Sequence, residues 1–170
     1  MIRVGLIGFG LAGQAFHAPM IRGVKDMELA CVLERKTNIA KTRYPEVSIA
    51  RTLDEMLSDK SINLVVVATP NDTHYSYTKA SLEAGRHVVV DKPLTPTMAE
   101  AEELVRLAAD RGLLMSVYQD RRWDGAFLTV KKLVQTGALG KVAEYETRFD
   151  RFRLDSKAGA WREKPEFPAA

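Results

Sequence analysis

The stretch Ile2-Arg3-Val4-Gly5-Leu6-Ile7-Gly8-Phe9-Gly10-Leu11-Ala12-Gly13 decides the fold. Residues 2–7 are a short apolar run that ends in glycine, and from about residue 12 to residue 22 the spacing becomes helical. Gly8, Gly10 and Gly13 between them spell G-x-G-x-x-G, with Phe9, Leu11 and Ala12 riding on the same loop. In a strand–turn–helix unit the first glycine allows a tight turn and the second lets the backbone approach a pyrophosphate. The third lets helix and strand pack closely. A phosphate would then lie at a helix N-terminus, where unpaired N–H groups and the helix dipole favour negative charge. The competing reading is an ordinary glycine-rich turn. The placement directly after a strand and before a helix favours dinucleotide binding.

Outward from this unit, short β-branched runs recur at residues 29–33, 64–68, 88–90 and 113–117. Apolar on both faces, they suit buried parallel strands. Helical stretches separate them. Thr97-Met98-Ala99-Glu100 is a capping box that opens a helix whose apolar stripe is Ala101, Leu104, Val105 and Ala108, with Gly112 at its end; Thr52-Leu53-Asp54-Glu55 repeats the signal. The alternation predicts an α/β Rossmann dinucleotide-binding fold with a mostly parallel sheet. After Trp123 the pattern changes. Residues 124–136 are predicted helical, with Phe127, Val130 and Val134 on one face and Gly137 and Gly140 closing the helix. Residues 142–151 alternate, as a half-exposed antiparallel strand would, and residues 154–170 carry no core-forming pattern. The expected division is a dinucleotide domain over 1–123, a helix and a first strand of a second domain over 124–153, and an irregular tail over 154–170.

Composition narrows the class. At 170 residues and 46% hydrophobic, the chain holds one core and at most a fragment of another. Its 25 Lys and Arg are interspersed with 22 Asp and Glu, which argues against a nucleic-acid surface. Cys31 is single, so no internal disulfide is possible and a reducing compartment follows. The first residues read as a strand rather than a signal peptide, and no apolar run reaches membrane-spanning length. The expectation is a cytoplasmic protein with no membrane partner and no metal site.

Two further groups of residues fall at predicted strand ends. Glu34 stands 21 residues after Gly13, where an acid commonly holds the ribose 2′-hydroxyl of NAD and repels the extra phosphate of NADP. Arg35 and Lys36 follow at once and could accommodate that phosphate. The expected cofactor is therefore NAD or NADP, with a lean to NAD from Glu34. Thr69-Pro70-Asn71-Asp72-Thr73-His74 and Asp91-Lys92-Pro93 lie where open α/β sheets bind ligands, at carboxyl ends of parallel strands. Lys92, set between an acid and a proline at a predicted crevice, reads as more than a lysine reaching for solvent. His74 reads equally well as a simple helix-start histidine.

The glycine loop, Thr-Pro-Asn-x-x-His and Asp-Lys-Pro together resemble the glucose–fructose oxidoreductase/inositol dehydrogenase family, whose last motif is usually Glu-Lys-Pro. Phe16-His17-Ala18-Pro19, Arg121-Arg122-Trp123-Asp124 and Trp161-Arg162-Glu163 are similar to its branch containing scyllo-inositol dehydrogenases. Gln119-Asp120 departs from the His-Asn that often precedes Arg-Arg-Trp. The resemblance implies hydride transfer between a nicotinamide and a hydroxyl-bearing carbon of a sugar or polyol, with Lys92 stabilising the developing alkoxide. It implies that Thr69, Pro70, Asn71, His74, Asp91 and Pro93 belong to the cofactor site, with Arg121 and Trp123 on the substrate side. His17 and Pro19 shape the first helix. Family members continue into an antiparallel-sheet domain bearing an Asp and a His that orient the substrate and take its proton. No such pair is present here, so the chain reads as a truncated cofactor half, inactive by itself. The family's sheet also forms the subunit interface, so a homo-oligomer through residues 142–151 is expected. The competing reading is a non-catalytic dinucleotide-sensing module, which would have no need of Lys92.

Overall fold

The computed structural model describes residues 1–150, 152 and 154. Residues 1–118 form one compact unit, and a second begins at Gln119.

The first unit holds six strands: β1 (Ile2–Ile7), β2 (Met27–Leu33), β3 (Ser48–Ala50), β4 (Leu64–Val67), β5 (His87–Asp91) and β6 (Met115–Tyr118). All pair in parallel in the order β3-β2-β1-β4-β5-β6. Strand order therefore reverses between β1 and β4, and a ligand crevice opens at such a switch point. Register there is set by Val4 beside Leu64 and Ile7 beside Val67. Their loops thus leave the sheet side by side.

Helices cover both faces, which is why β4 and the middle of β5, residues 88–90, are wholly apolar. Val65 and Val67 of β4 face one core with Leu82 and Leu104, while Val66 faces the other with Ile21 and Ala40. The helices bringing those side chains are α1 (Ala18–Gly23), α2 (Ile39–Arg43), α4 (His74–Glu83) and α5 (Met98–Asp110), and α3 (Leu53–Ser58) adds Met56 and Leu57 to the first core. Leu104 is fully buried, so Leu104→Ala would cost about 3 kcal/mol. Cys31 is buried in β2, and burial pushes its thiol pKa up. That keeps it a packing residue.

Local signals act as the residues dictate. The Thr97 hydroxyl accepts from Glu100 N at 3.3 Å while the Glu100 carboxylate accepts from Thr97 N at 3.2 Å, so both halves of the capping box form. At α3 only the Thr52 half forms, because Glu55 accepts instead from Arg51 N at 2.6 Å. The helix expected from about residue 12 to 22 has an irregular start, a π turn over Gly13–His17 before α1. Pro19 lacks an N–H for the carbonyl of Ala15, and its ring would crowd that carbonyl in a regular helix. Strand β3 escaped the sequence reading because three residues are too few for a periodic signal.

In the second unit α6 (Gly125–Gln135) matches the predicted helix, and Gly137 and Gly140 take positive φ at 71° and 63° after it. The strand expected over 142–151 is corrected: residues 142–150 form no strand and are exposed. A ladder needs a second segment, and among the described residues none pairs with them. Arg151 and most of the expected tail, including Trp161-Arg162-Glu163, lie outside the described residues.

Candidate functional site

The three glycines of the loop after β1 do three different things. Gly8 takes φ +95°, and a Cβ there would stand 2.9 Å from the carbonyl oxygen of Ala68. It is thus fixed by backbone shape and by the neighbouring loop after β4. A Cβ on Gly13 would meet the Gly8 oxygen at 2.3 Å, an impossible overlap with rigid backbone. Gly10 is the opposite case, because nothing lies within 4 Å of its missing Cβ. Gly10 faces open space, as a loop that receives a pyrophosphate requires. The Gln14 side-chain amide donates to Phe9 O at 2.8 Å and braces the loop from the helix side, a role no sequence signal marked.

Beside this loop lies an open cleft of about 450 Å³. Of the predicted residues it is lined by Gly8, Phe9, Gly10, Glu34, Arg35, Thr69 and Pro70. Thr37 and Tyr77 also line it, and neither was expected: Tyr77 sits a turn into α4, where only the fold turns it toward the crevice. Leu11 is 79% exposed. Ala12, Asn71, His74, Asp91, Lys92 and Pro93 are not part of this cleft wall.

Glu34 directly follows β2 and is buried. Its carboxylate accepts from the Thr37 hydroxyl at 2.7 Å and from Ala40 N at 3.0 Å. The Arg51 guanidinium closes the same turn from outside, donating to Glu34 O at 2.6 Å, Thr37 O at 2.5 Å and Asn38 Oδ1 at 2.5 Å. Arg35 and Lys36 are exposed.

Around β4 and β5 the wiring is of another kind. His74 is fully buried at the start of α4. One ring nitrogen lies 2.8 Å from Thr69 O and the other 2.7 Å from Pro93 O, so the ring ties the two loops together. Asp91 accepts from Lys92 N at 2.8 Å and faces His17 Nε2 at 3.4 Å. Burial would raise the Asp91 pKa, but the His17 and Lys92 hydrogen bonds outweigh it and hold the carboxyl below the usual range. The His17 ring in turn packs on Tyr118 at 4.4 Å. The Lys92–Pro93 peptide is cis, and the Lys92 side chain is exposed. In the second unit Arg121 pairs with Asp124 at 2.7 Å and stacks over Phe149, while Trp123 is 77% exposed.

The donor set fits a dinucleotide: an open glycine loop at the switch point, a cleft running from it to the end of β2, and a lysine at the end of β5. Comparison with known proteins agrees. YdgJ of Escherichia coli, named as an uncharacterized oxidoreductase, is 47% identical over 96% of this chain and 47% of its own length. IolW of Bacillus subtilis, named scyllo-inositol 2-dehydrogenase (NADP(+)), is 40% identical over 96% of this chain and 45% of its own. The solved structure of YPO2259 from Yersinia pestis superposes with a TM-score of 0.86 at 43% identity, covering 95% of this chain and 46% of that one. The chain thus spans about half the length of the curated relatives it matches. Residues 2–119 match the model of the Gfo/Idh/MocA oxidoreductases with an NAD-binding Rossmann fold, and the chain belongs to that family.

Proposed function

We propose that this chain is the cofactor-binding half of a nicotinamide-dependent oxidoreductase acting on a hydroxyl-bearing carbon of a sugar or polyol. The observation that carries it is the Gly10 opening beside the cleft, on a loop whose close path only glycine allows at Gly8 and Gly13. The name of IolW, an inositol dehydrogenase, supplies the substrate class.

When bound, the nicotinamide supplies or accepts the hydride. The chain's residues do the rest. Phe9, Gly10 and the following N–H groups receive the pyrophosphate, and Thr69 and Pro70 form the wall beside it. Lys92 extends from the end of β5 with its ammonium available to hydrogen-bond the substrate oxygen and stabilise negative charge there. Asp91 does not act on substrate. It fixes the backbone of Lys92 through a 2.8 Å hydrogen bond, and His74 locks the Pro93 carbonyl behind it. Arg121 and Trp123 are assigned to the substrate side. A proton-taking base is not among these residues, so turnover of inositols by this chain alone is expected to be undetectable.

Titration of the folded chain with NADH and NADPH by cofactor fluorescence tests the reading. Binding of at least one is expected, and Gly10→Val should abolish it with little change in stability, because its side chain enters empty space that the pyrophosphate needs. Absence of binding by both cofactors to the folded chain would overturn the proposal.

A further inference from the structure

We propose that His17 is a positioning residue for Lys92: it holds one oxygen of Asp91 so that the other keeps the Lys92 backbone in place at the carboxyl end of β5. This deepens the reading above, on which it rests, that the Lys92 ammonium serves a substrate oxygen. The two oxygens of Asp91 are divided between two jobs. Oδ1 accepts from Lys92 N at 2.8 Å, and Oδ2 faces His17 Nε2 at 3.4 Å. Asp91 keeps its charge at neutral pH, because burial, which would raise its pKa, is outweighed by those two hydrogen bonds. An ionised carboxylate only accepts, so the ring nitrogen facing it carries the proton. The Asp91 side chain is 21% exposed. Without His17, Oδ2 is free to turn to water and take Oδ1 off the Lys92 amide.

Packing does not explain the imidazole. His17 is 3% exposed, and its ring lies 4.4 Å from the Tyr118 ring. A phenyl group would pack there as well and would bury no polar nitrogen, which costs free energy unless it is hydrogen-bonded. Asp91 accounts for Nε2. The placement also needs the whole fold. His17 ends the π turn Gly13–His17, which begins on the third glycine of the loop, and π turns inside helices are frequent at functional sites. In the sheet β4 lies between β1 and β5, so the ring reaches from the helix after β1 across to the end of β5. There Asp91 and Tyr118 are register partners on β5 and β6. One side chain thereby joins the helix that follows the glycine loop to the residue before the lysine.

The experiment sets His17→Gln, which keeps an N–H near the place of Nε2, against His17→Phe, which keeps a ring against Tyr118. Hydrogen exchange in the full chain is read at the Lys92 amide relative to Val66 in the central sheet, which corrects for any global loss of stability. Exchange at Lys92 should rise about tenfold in His17→Phe, as loss of one hydrogen bond implies, and stay within about threefold in His17→Gln. Asp91→Ala should give the same rise, and His17→Phe should add nothing to it, since both act on one contact. A second readout belongs to the ammonium. The oxidised nicotinamide ring carries a positive charge and the reduced ring does not, so a lysine held beside it weakens oxidised relative to reduced cofactor. Dissociation constants are measured for NAD+ with NADH and for NADP+ with NADPH. Lys92→Met should lower the oxidised-over-reduced ratio about fourfold, and His17→Phe about twofold in the same direction, while His17→Gln matches the parent. A packing role predicts the reverse order, with His17→Phe like the parent and His17→Gln disturbed; that result overturns the inference, as does a Lys92 amide unchanged in His17→Phe. A ratio unmoved by Lys92→Met removes the lysine reading beneath it, and this inference with it. Absence of binding by either cofactor pair to the folded chain removes the dinucleotide reading itself.

Discussion

The carboxyl ends of β2 and β5 share one plan and differ in how it is built. An acid followed by an exposed cation stands at each strand's carboxyl end: Glu34 then Arg35 directly after β2, and Asp91, the last residue of β5, then Lys92. In both, the acid turns toward the protein and the cation is left outside. At β2 the acid's partners, Thr37 and Ala40, lie three and six residues away. At β5 the corresponding links span the chain: His17 is 74 residues from Asp91, and His74 joins Pro93, 19 residues on, to Thr69. A locally closed turn can loosen without disturbing the sheet, whereas a device that ties several loops together opens only when much of the fold opens. The difference predicts that equal chemical deletions at the two ends have unequal global consequences.

The largest effect is expected at His74. His74→Ala removes a fully buried ring whose two nitrogens stand 2.7 Å from Pro93 O and 2.8 Å from Thr69 O, breaking the link between the two loops and leaving a cavity there. The loss should be about 3 kcal/mol in urea unfolding. Phe at this position restores volume but not the polar link, so His74→Phe should recover part of the loss. A His74→Ala variant as stable as the parent would show that the two loops are held independently, and the comparison would fail.

Asp91 gives a smaller effect with a pH signature. Its folded-state pKa is lowered by the His17 and Lys92 contacts acting against burial. The stabilisation from ionised Asp91 is therefore present above the ordinary carboxylate pKa of about 3.9, and it is lost as pH falls below that value through the folded-state pKa. Asp91→Asn should cost about 1–2 kcal/mol at pH 7. The gap between parent and variant should close below about pH 4. A gap unchanged between pH 7 and pH 3 would mean that the carboxylate's charge does no structural work.

This contrast also governs what the sequence could disclose. The β1 unit was legible because its signals are adjacent in the chain, and each glycine's reason was stated by position alone. The acid near residue 34 was found by spacing, but its orientation was not, since spacing says nothing about whether a carboxylate points into a cleft or into its own turn. In the sequence His74 is equally a helix-start residue, because the two carbonyls its ring faces lie in loops that meet only in the folded sheet. The pairing of His17 with Asp91 was invisible for the same reason. Residues 142–150 show the reverse failure: an alternating pattern states what a segment could pair with, and supplies no partner.

The smallest effect separates the two ends most sharply. Thr37→Val keeps the side chain's shape and removes only the hydroxyl that donates to Glu34 at 2.7 Å. Glu34 retains Ala40 N at 3.0 Å, and Arg51 still closes the turn through Glu34 O, Thr37 O and Asn38 Oδ1. Thr37 is exposed, so the vacated oxygen can be reached by water and no acceptor is stranded. The deletion should therefore shift the global urea midpoint by less than the equivalent of about 0.5 kcal/mol. The turn itself should open more readily, because one of two bonds fixing the Glu34 carboxylate is gone. Hydrogen exchange at the Ala40 amide should then rise about fivefold, while exchange at Val66 in the central sheet stays unchanged. If Thr37→Val instead lowers the midpoint as far as Asp91→Asn does, the turn after β2 is part of the global cooperative unit, and the division between a local and a long-range end of the crevice does not hold.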